Sequence, residues 1–294
     1  MAEAALAPQP VTLREATPAD AEECARICFE AFAGIHDHHR FPRDFPALEA
    51  AVGLMNVFIG HPSIWGVVAL RDGQVVGSNF LDERDQIRGV GPITVDPRLQ
   101  NTSVGRKLME AVIARGREAA GIRLLRDAFH MRSLSLYTSL GFDVKEPVAA
   151  ICGKPRSKPA GDHDVRPLGE DDLEQCEALC KRVHGFARTN ELRDALRAFA
   201  PFTATRDGRV TAYATSVTFW PMAHGVAESD EDMQALLLGA AAAGGEPIAF
   251  LVPLRMELFP WALSEGLRLV KPMNLMALGE YREPQGSWFP NVLY

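Results

Sequence analysis

Two stretches of this chain repeat one another. Leu13-Arg14 through Cys28 aligns with Val165-Arg166 through Cys180 at a constant offset of 152. Arg14/Arg166, Asp20/Asp172, Glu22/Glu174, Cys24/Cys176 and Cys28/Cys180 are identical, five of 16 positions. Downstream, Ala69-Leu-Arg-Asp-Gly-Gln-Val75 matches Ala204-Thr-Arg-Asp-Gly-Arg-Val210 at 135. Ser139-Leu-Gly141 then matches Ser264-Glu-Gly266 at 125, the offset that also pairs Pro147 with Pro272. Each match is short, and their common order makes them copies of one unit. The falling offset removes 152 − 125 = 27 residues from the second copy, 152 − 135 = 17 of them before the Arg-Asp-Gly turn. The chain of 294 residues thus reads as one fold used twice. A loose tail, 1–10, precedes a first copy, 11–152. The Pro-, Gly- and charge-rich linker 153–163 leads to a shortened second copy, 164–294.

The pattern of the first copy predicts a mixed α/β sheet. Val11–Arg14 reads as a strand, and Thr17-Pro-Ala-Asp20 opens a helix with the hydroxyl as N-cap and Pro at the first helical position. A second helix is expected over Phe45–Phe58. Ile64–Leu70 and Val75–Leu81 form a hairpin across Arg71-Asp-Gly-Gln74, and a strand follows near Val90–Val95. Pro92 removes a ladder donor there, so a bulge or splay is expected. Leu108, Met109, Val112, Ile113 and Gly116 fall at helical spacing. Strand Ile122–Leu125, a short helix Ser133–Leu140 and a strand from Phe142 complete the unit. Strands in a meander, then alternating with helices, give the α/β (α+β mixed sheet) class.

Composition narrows the function. A formal charge of 31 − 38 = −7 disfavours nucleic acid as a partner. No apolar run reaches the roughly 18 residues of a membrane span, and the start lacks signal-peptide features. Five cysteines suit reduced thiols in a cytoplasm better than a disulfide framework. Cys24/Cys28 and Cys176/Cys180 could be arranged as four zinc thiolates. Each pair, however, lies at i,i+4 on one helix face of a separate copy, where Cys acts as a small buried hydrophobe.

Chemistry concentrates in Ile93-Thr-Val-Asp-Pro-Arg-Leu-Gln-Asn-Thr-Ser-Val-Gly-Arg-Lys-Leu108, where a strand turns directly into a helix with Ser103 and Gly105 at its mouth. The first N–H groups of a helix lack partners and its macrodipole is positive there, which suits a phosphate. Between Arg98 and Arg132, eight basic residues face three acids, a local +5 inside an acidic chain. The alternative is a capped surface helix with a solvated basic face.

Gln100-Asn-Thr-Ser-Val-Gly105 resembles the acetyl-CoA pyrophosphate loop of the GNAT family of N-acetyltransferases, Gln/Arg-x-x-Gly-x-Gly/Ala, with Ser103 at its first glycine. Val95-Asp-Pro97 fits the family too, and Leu136-Tyr-Thr-Ser-Leu-Gly-Phe142 resembles its Leu-Tyr-x-x-x-Gly-Phe motif. His130 and Ser133 stand where the family has Asn and Ala. The resemblance covers residues 11–152 directly and 164–294 only through the repeat. It implies a tandem acyl-CoA N-acyltransferase (GNAT) fold with acetyl-CoA as cosubstrate. Ile93, Thr94, Val95, Gln100, Asn101, Thr102, Ser103, Val104, Gly105, Arg106, Lys107, His130, Ser133 and Tyr137 are the expected contacts. The Val95 backbone would hold the pantetheine arm and acetyl carbonyl, and Tyr137 would be the general acid that protonates the departing thiolate.

An amine acceptor must lose a proton before it attacks. Asp82 and Glu83, in the charged turn after the third strand, and His36 or His39, between the first two helices, are candidates to meet it. A solvated turn and a plain exposed loop are the alternatives for these groups. The His36-Asp-His-His-Arg40 run lacks a second ligand cluster, so no metal is expected. In the second copy the phosphate-loop counterpart falls near Val226–Met233, where Glu228, Asp230, Glu231 and Asp232 would repel a pyrophosphate, and Ala262 replaces Tyr137. That copy is expected to be degenerate, with the aromatic tail Tyr281–Tyr294 packed back on the protein.

The expected function is N-acetyl transfer from acetyl-CoA to an amine of a small molecule or peptide, direct in a ternary complex, by a cytoplasmic monomer or homodimer free of membrane and nucleic acid. The alternatives are a non-catalytic acyl-CoA-binding sensor and a structural interaction module.

Overall fold

The computed structural model describes residues 10–100, 102–159 and 161–294. The first copy runs β1 (Thr12–Glu15), α1 (Ala21–His39), α2 (Leu48–Gly60), β2 (Ile64–Arg71), β3 (Gln74–Asp82), β4 (Ile87–Val90), β5 (Thr94–Val95), α3 (Val104–Arg115), β6 (Gly121–Asp127), α4 (Met131–Ser139) and β7 (Asp143–Gly153). The second runs β8 (Asp164–Pro167), α5 (Leu173–His184), α6 (Thr189–Ala198), β9 (Phe202–Arg206), β10 (Arg209–Ala214), β11 (Gly225–Ala227), α7 (Asp230–Gly244), β12 (Ile248–Pro253), α8 (Leu258–Ser264), β13 (Arg268–Gly279) and β14 (Ser287–Phe289). No described helix is long and apolar enough to cross a membrane.

The repeat is physical. Arg14 donates to both carboxylate oxygens of Asp20 at 2.7 Å, and Arg166 grips Asp172 at 2.7 and 2.8 Å. Each aspartate also accepts the amide N–H that opens the following helix, from Thr17 and from Gly169. The Arg14 hydrogen bonds hold Asp20 down to about 2, with the Thr17 bonds helping against burial. A depressed carboxylate stabilises the fold fully above its ordinary value near 4, and that share is lost as pH falls through about 2. Arg14 is 42% exposed, so solvent screening limits the share to roughly 1 kcal/mol. Urea unfolding should therefore show stability falling from pH 4 to pH 2, with a shallower fall in Asp20→Asn.

Chain contacts define two compact units, one ending at Leu81 with Val90–Arg117 added, the other Asp82–Gly89 with Glu118–Tyr294. In the first, β1, β2, β3 and β5 form an antiparallel sheet on which the helices pack. Cys24 and Cys28 are buried in that core, as Cys176 and Cys180 are in the other unit, and none is in a disulfide. Burial pushes the Cys24 and Cys180 thiols up to about 11.

The second unit holds an interleaved sheet. β4 pairs parallel with β6, and β6, β13, β7 and β12 follow antiparallel, so strands of the first and second copies alternate. Val148 faces Met273, its own counterpart at offset 125, and the ladder is symmetric about that point: Ala149 with Pro272 and Pro147 with Asn274. β7 is buried on both faces: Ala149 and Ile151 enter one apolar cluster, Val148 and Ala150 the other. A second sheet runs β8, β9, β10, β11, β14, antiparallel throughout. The linker is tied down, because Glu265 accepts from the Arg156 and Ser157 amides and the Ser157 hydroxyl.

The strand expected near Val90–Val95 is two strands. β4 and β5 are separated by Gly91, Pro92 and Ile93, in keeping with the missing proline donor. The His36–Arg40 run, read as a loop between helices, is the last turn of α1. Three histidines there lie at the negative end of the helix dipole.

Candidate functional site

The turn that feeds α3 is built on Asp96. Its carboxylate is 2% exposed and accepts from the Arg98 amide (2.9 Å) and guanidinium, with Arg26 at 3.5 Å. The Arg98 hydrogen bonds hold it down to about 2. Pro97–Leu99 form a single 3-10 turn, and the Thr102 hydroxyl donates to the Leu99 carbonyl at 2.5 Å. Asn101 lies outside the described residues.

Ser103 is the N-cap of α3, with φ 64 and ψ −2, and its side chain makes no cap bond. The family glycine it replaces is thus at a left-handed position, which costs a non-glycine residue about 1 kcal/mol. Ser103→Gly should gain up to ~1 kcal/mol, and Ser103→Val should lose a similar amount, in urea unfolding midpoints. The first helical bond runs from the Lys107 amide to the Ser103 carbonyl (3.1 Å), so the Val104, Gly105 and Arg106 amides precede the ladder at the positive end of the helix. Val104 is buried and Arg106 exposed, 3.9 Å from Glu110; the Lys107 ammonium donates to the Val11 carbonyl at 3.2 Å. A helix start, its macrodipole and a cation at one mouth are the chemistry that suits an anion.

β5 presents a backbone edge beside it. The Asp96 N–H donates to the Val76 carbonyl at 2.9 Å, and Thr94 faces Ser78. Backbone direction alternates along a strand, so the N–H and C=O of Val95 and Ile93 turn away from β3. The close approach depends on Gly77, where a Cβ would stand 2.7 Å from the Thr94 carbonyl and 3.1 Å from Leu108. Gly77 thus sets the spacing of β3 and β5, a role the sequence signalled only by a glycine inside an apolar strand.

His130, Ser133 and Tyr137 belong to the other unit. His130 caps α4, and its carbonyl accepts from the Ser133 hydroxyl (2.8 Å) and from Arg126 (2.9 Å). Arg126, itself buried, also donates to Asn274 Oδ1 at 2.7 Å. The Tyr137 ring is buried, 6.3 Å from Phe142. Burial raises its phenol above the ordinary tyrosine range, with Arg126 acting in the opposite direction. The phenol therefore stays protonated at neutral pH, as a proton donor must.

The acid–base candidates lie elsewhere. Asp82 is held by Arg84 at 2.6 Å, and Arg84 reaches Asp194 at 3.2 Å. Asp85 accepts the Asn190 and Glu191 amides (3.2 and 3.1 Å), so the charged turn clasps the start of α6. Glu83 lines an open cleft of about 380 Å³ with Arg88, Lys181 and Asn190. His36 is fully buried, with Nδ1 2.7 Å from the Phe32 carbonyl. His39 is exposed, its ring 4.8 Å from that of His38.

The second copy closes the equivalent helix mouth. Only Glu228 and Ser229 separate β11 from α7, where eight residues, 96–103, separate β5 from α3. Ser229 caps α7 by accepting the Asp232 amide at 3.1 Å, and the Asp232 carboxylate meets His163 (2.8 Å) and Arg206 (3.4 Å). The Asp232 carboxylate in the first turn of α7 is thus held by side chains of the chain itself. Ala262, opposite Tyr137 in the repeat, is a buried core residue.

Residues 23–142 match the model of the acetyltransferase (GNAT) family. No curated protein matches the chain. Among solved structures, a putative acetyltransferase from Pyrococcus horikoshii is similar at a TM-score of 0.76 and 16% identity, covering 99% of this chain and 98% of that one. A GCN5-related N-acetyltransferase from Sphaerobacter thermophilus gives 0.62 and 13%, covering 95% and 99%. A tandem GNAT protein from the clavulanic acid biosynthesis pathway gives 0.57 and 11%, covering 94% and 99%. At these identities the structures speak for the fold, and the family model speaks for the matched residues. Residues 23–142 thus match the GNAT acetyltransferase family, and the chain as a whole shares the fold of these acetyltransferase structures, a tandem GNAT protein among them.

Proposed function

We propose that the first copy, residues 11–152, transfers acetyl from acetyl-CoA to an amine of a small molecule or peptide, directly in a ternary complex, and that the second, 164–294, is a degenerate partner. The observation that carries this reading is the contrast between two equivalent helix starts: the Ser103 side chain makes no cap bond at α3, with Arg106 in its first turn, whereas α7 is capped by Ser229 and has three acids, Asp232 among them, in its first turn. When bound, acetyl-CoA supplies an activated acyl group on a thioester.

The chain's own residues then do the following. The Val104, Gly105 and Arg106 amides receive the pyrophosphate, with Gln100, Thr102 and Lys107 around them. The outward backbone of Ile93 and Val95, with Thr94 fixed behind on Ser78, holds the pantetheine arm and orients the acetyl carbonyl. His130 and Ser133 present polar groups at the start of α4. As the neutral amine nitrogen forms its bond to the acetyl carbon and the C–S bond breaks, Tyr137 gives its phenolic proton to the sulfur, and the proton shed by the nitrogen passes through water back to the tyrosinate. Asp82, Glu83 and His39 are left out of this scheme: the first is paired with Arg84, the second sits in the clasped turn, and the third meets His38 edge to face at an exposed helix end. Four buried thiols outside any disulfide suit a cytoplasmic protein.

The test is thiol release from acetyl-CoA across a panel of primary amines. Amine-dependent release with a matching acetylated product supports the reading. Tight coenzyme A binding without release for any amine would make the chain an acyl-CoA sensor.

A further inference from the structure

The second copy carries a strand that the first copy lacks. The Arg-Asp-Gly turns set Ala212 opposite Gly77 at offset 135, and Ala212 pairs with Ala227 as Gly77 pairs with Val95. The Glu228 N–H donates to the Thr211 carbonyl at 2.9 Å, the counterpart of the Asp96 bond to Val76 at 2.9 Å. β11 is therefore the equivalent of residues 93–95, and the backbone of Gly225 and Ala227 turns away from β10 as that of Ile93 and Val95 turns away from β3. In the second copy this outward edge is taken: Ser287, Trp288 and Phe289 pair antiparallel with Ala227, Val226 and Gly225.

The occupant is fitted on every side. β14 also packs against β12 and α7, and the Phe289 ring lies 5.0 Å from that of Phe250 on β12. A Cβ on Gly225 would stand 2.3 Å from the Phe289 ring, and one on Gly286, at φ +132, would stand 2.6 Å from the Ala227 carbonyl. At one end the Ser287 hydroxyl donates to Asp230 at the mouth of α7 (2.6 Å). At the other, Asn291 accepts from Arg188 at 3.3 Å, and the Tyr294 hydroxyl lies 3.4 Å from His184. The segment starts at the helix mouth and follows the outward edge, the course assigned to acetyl-CoA in the first copy.

We infer that residues 286–294 are an internal ligand of the second copy's coenzyme cleft, a peptide strand in the place of a pantetheine arm, so the chain carries one acyl-CoA site. This rests on the acetyl-CoA reading of the first copy. The test is a full chain with a protease site inserted between Arg282 and Glu283, both exposed, folded and then cut. The cut fragment should stay bound through gel filtration and exchange with excess labelled peptide of residues 283–294. A peptide N-methylated at Phe289 should fail to exchange. In the uncut chain, hydrogen exchange at Ser287 and Phe289 should be as slow as in β10, and coenzyme A should bind once per chain. Loss of the fragment without loss of stability, fast exchange at those amides, or two coenzyme A per chain would overturn the inference. A coenzyme A count of zero would refute the first-copy site, and peptide exchange would still decide the role of the strand.

Discussion

Tyr137→Phe is expected to lower kcat for amine acetylation by about 10²-fold or more while coenzyme A affinity stays within about twofold. The substitution keeps the ring that packs 6.3 Å from Phe142 and removes only the phenolic proton. In the proposed scheme the removed proton serves only the departure of the thiolate, a step made in the transition state. KM for acetyl-CoA should therefore change little. A purely structural tyrosine would show the reverse pattern: lower stability and unchanged kcat. Full turnover in a folded Tyr137→Phe protein would remove Tyr137 from its role.

Lys271→Met is expected to cost about 3–5 kcal/mol of stability. Lys271 comes from β13 of the second copy and Asp127 from β6 of the first. Their charged atoms meet at 2.7 Å with side-chain exposures of 1% and 7%. The ammonium also lies 4.9 Å from the Trp220 ring. Removing the cation takes away the charge that faces this buried carboxylate, and the cost is mostly the desolvation it no longer offsets. The double variant Lys271→Met/Asp127→Asn should recover most of the loss, since no net charge then stays buried. Urea unfolding of the four proteins completes the cycle. Losses that simply add would show that the two groups do not act as a pair.

What could be read from the sequence was local or repeated. The Arg14–Asp20 grip lies six residues apart and recurs at Arg166–Asp172, so the pattern and its cause coincide. The loop proposed to take the pyrophosphate is contiguous, and its strand-to-helix geometry follows from Pro97, Ser103 and Gly105. Pro92 marked the break between β4 and β5. Other features needed partners remote in sequence. Residues 148–151 announce a buried strand, but an apolar run carries no record of which neighbours it pairs with, so the insertion of β13 between β6 and β7 was invisible.

The charged turn 82–85 looked like a place to meet an amine. It instead holds α6 through Asp194, Asn190 and Glu191, more than a hundred residues away. The His36–Arg40 run looked like a loop because polar residues crowd there. Helix α1 continues through it and ends at Arg40, a left-handed residue with no glycine to announce the stop. The aromatic tail was expected to pack back; that it does so as a strand on β11 depends on Gly225 and Gly286, whose purpose appears only with the partner in place.

Everything proposed for the first copy rests on an anionic cosubstrate at the start of α3. Titration calorimetry of acetyl-CoA into the intact protein and into Gly105→Asp tests it most directly. A carboxylate in the first turn suits a helix dipole, so the variant should keep its fold. The same charge, within about 4 Å of a bound pyrophosphate, turns attraction into repulsion of several kcal/mol. The intact protein should bind acetyl-CoA at one site per chain, and the variant at least about 100-fold more weakly. Undiminished binding by a folded Gly105→Asp protein would contradict it.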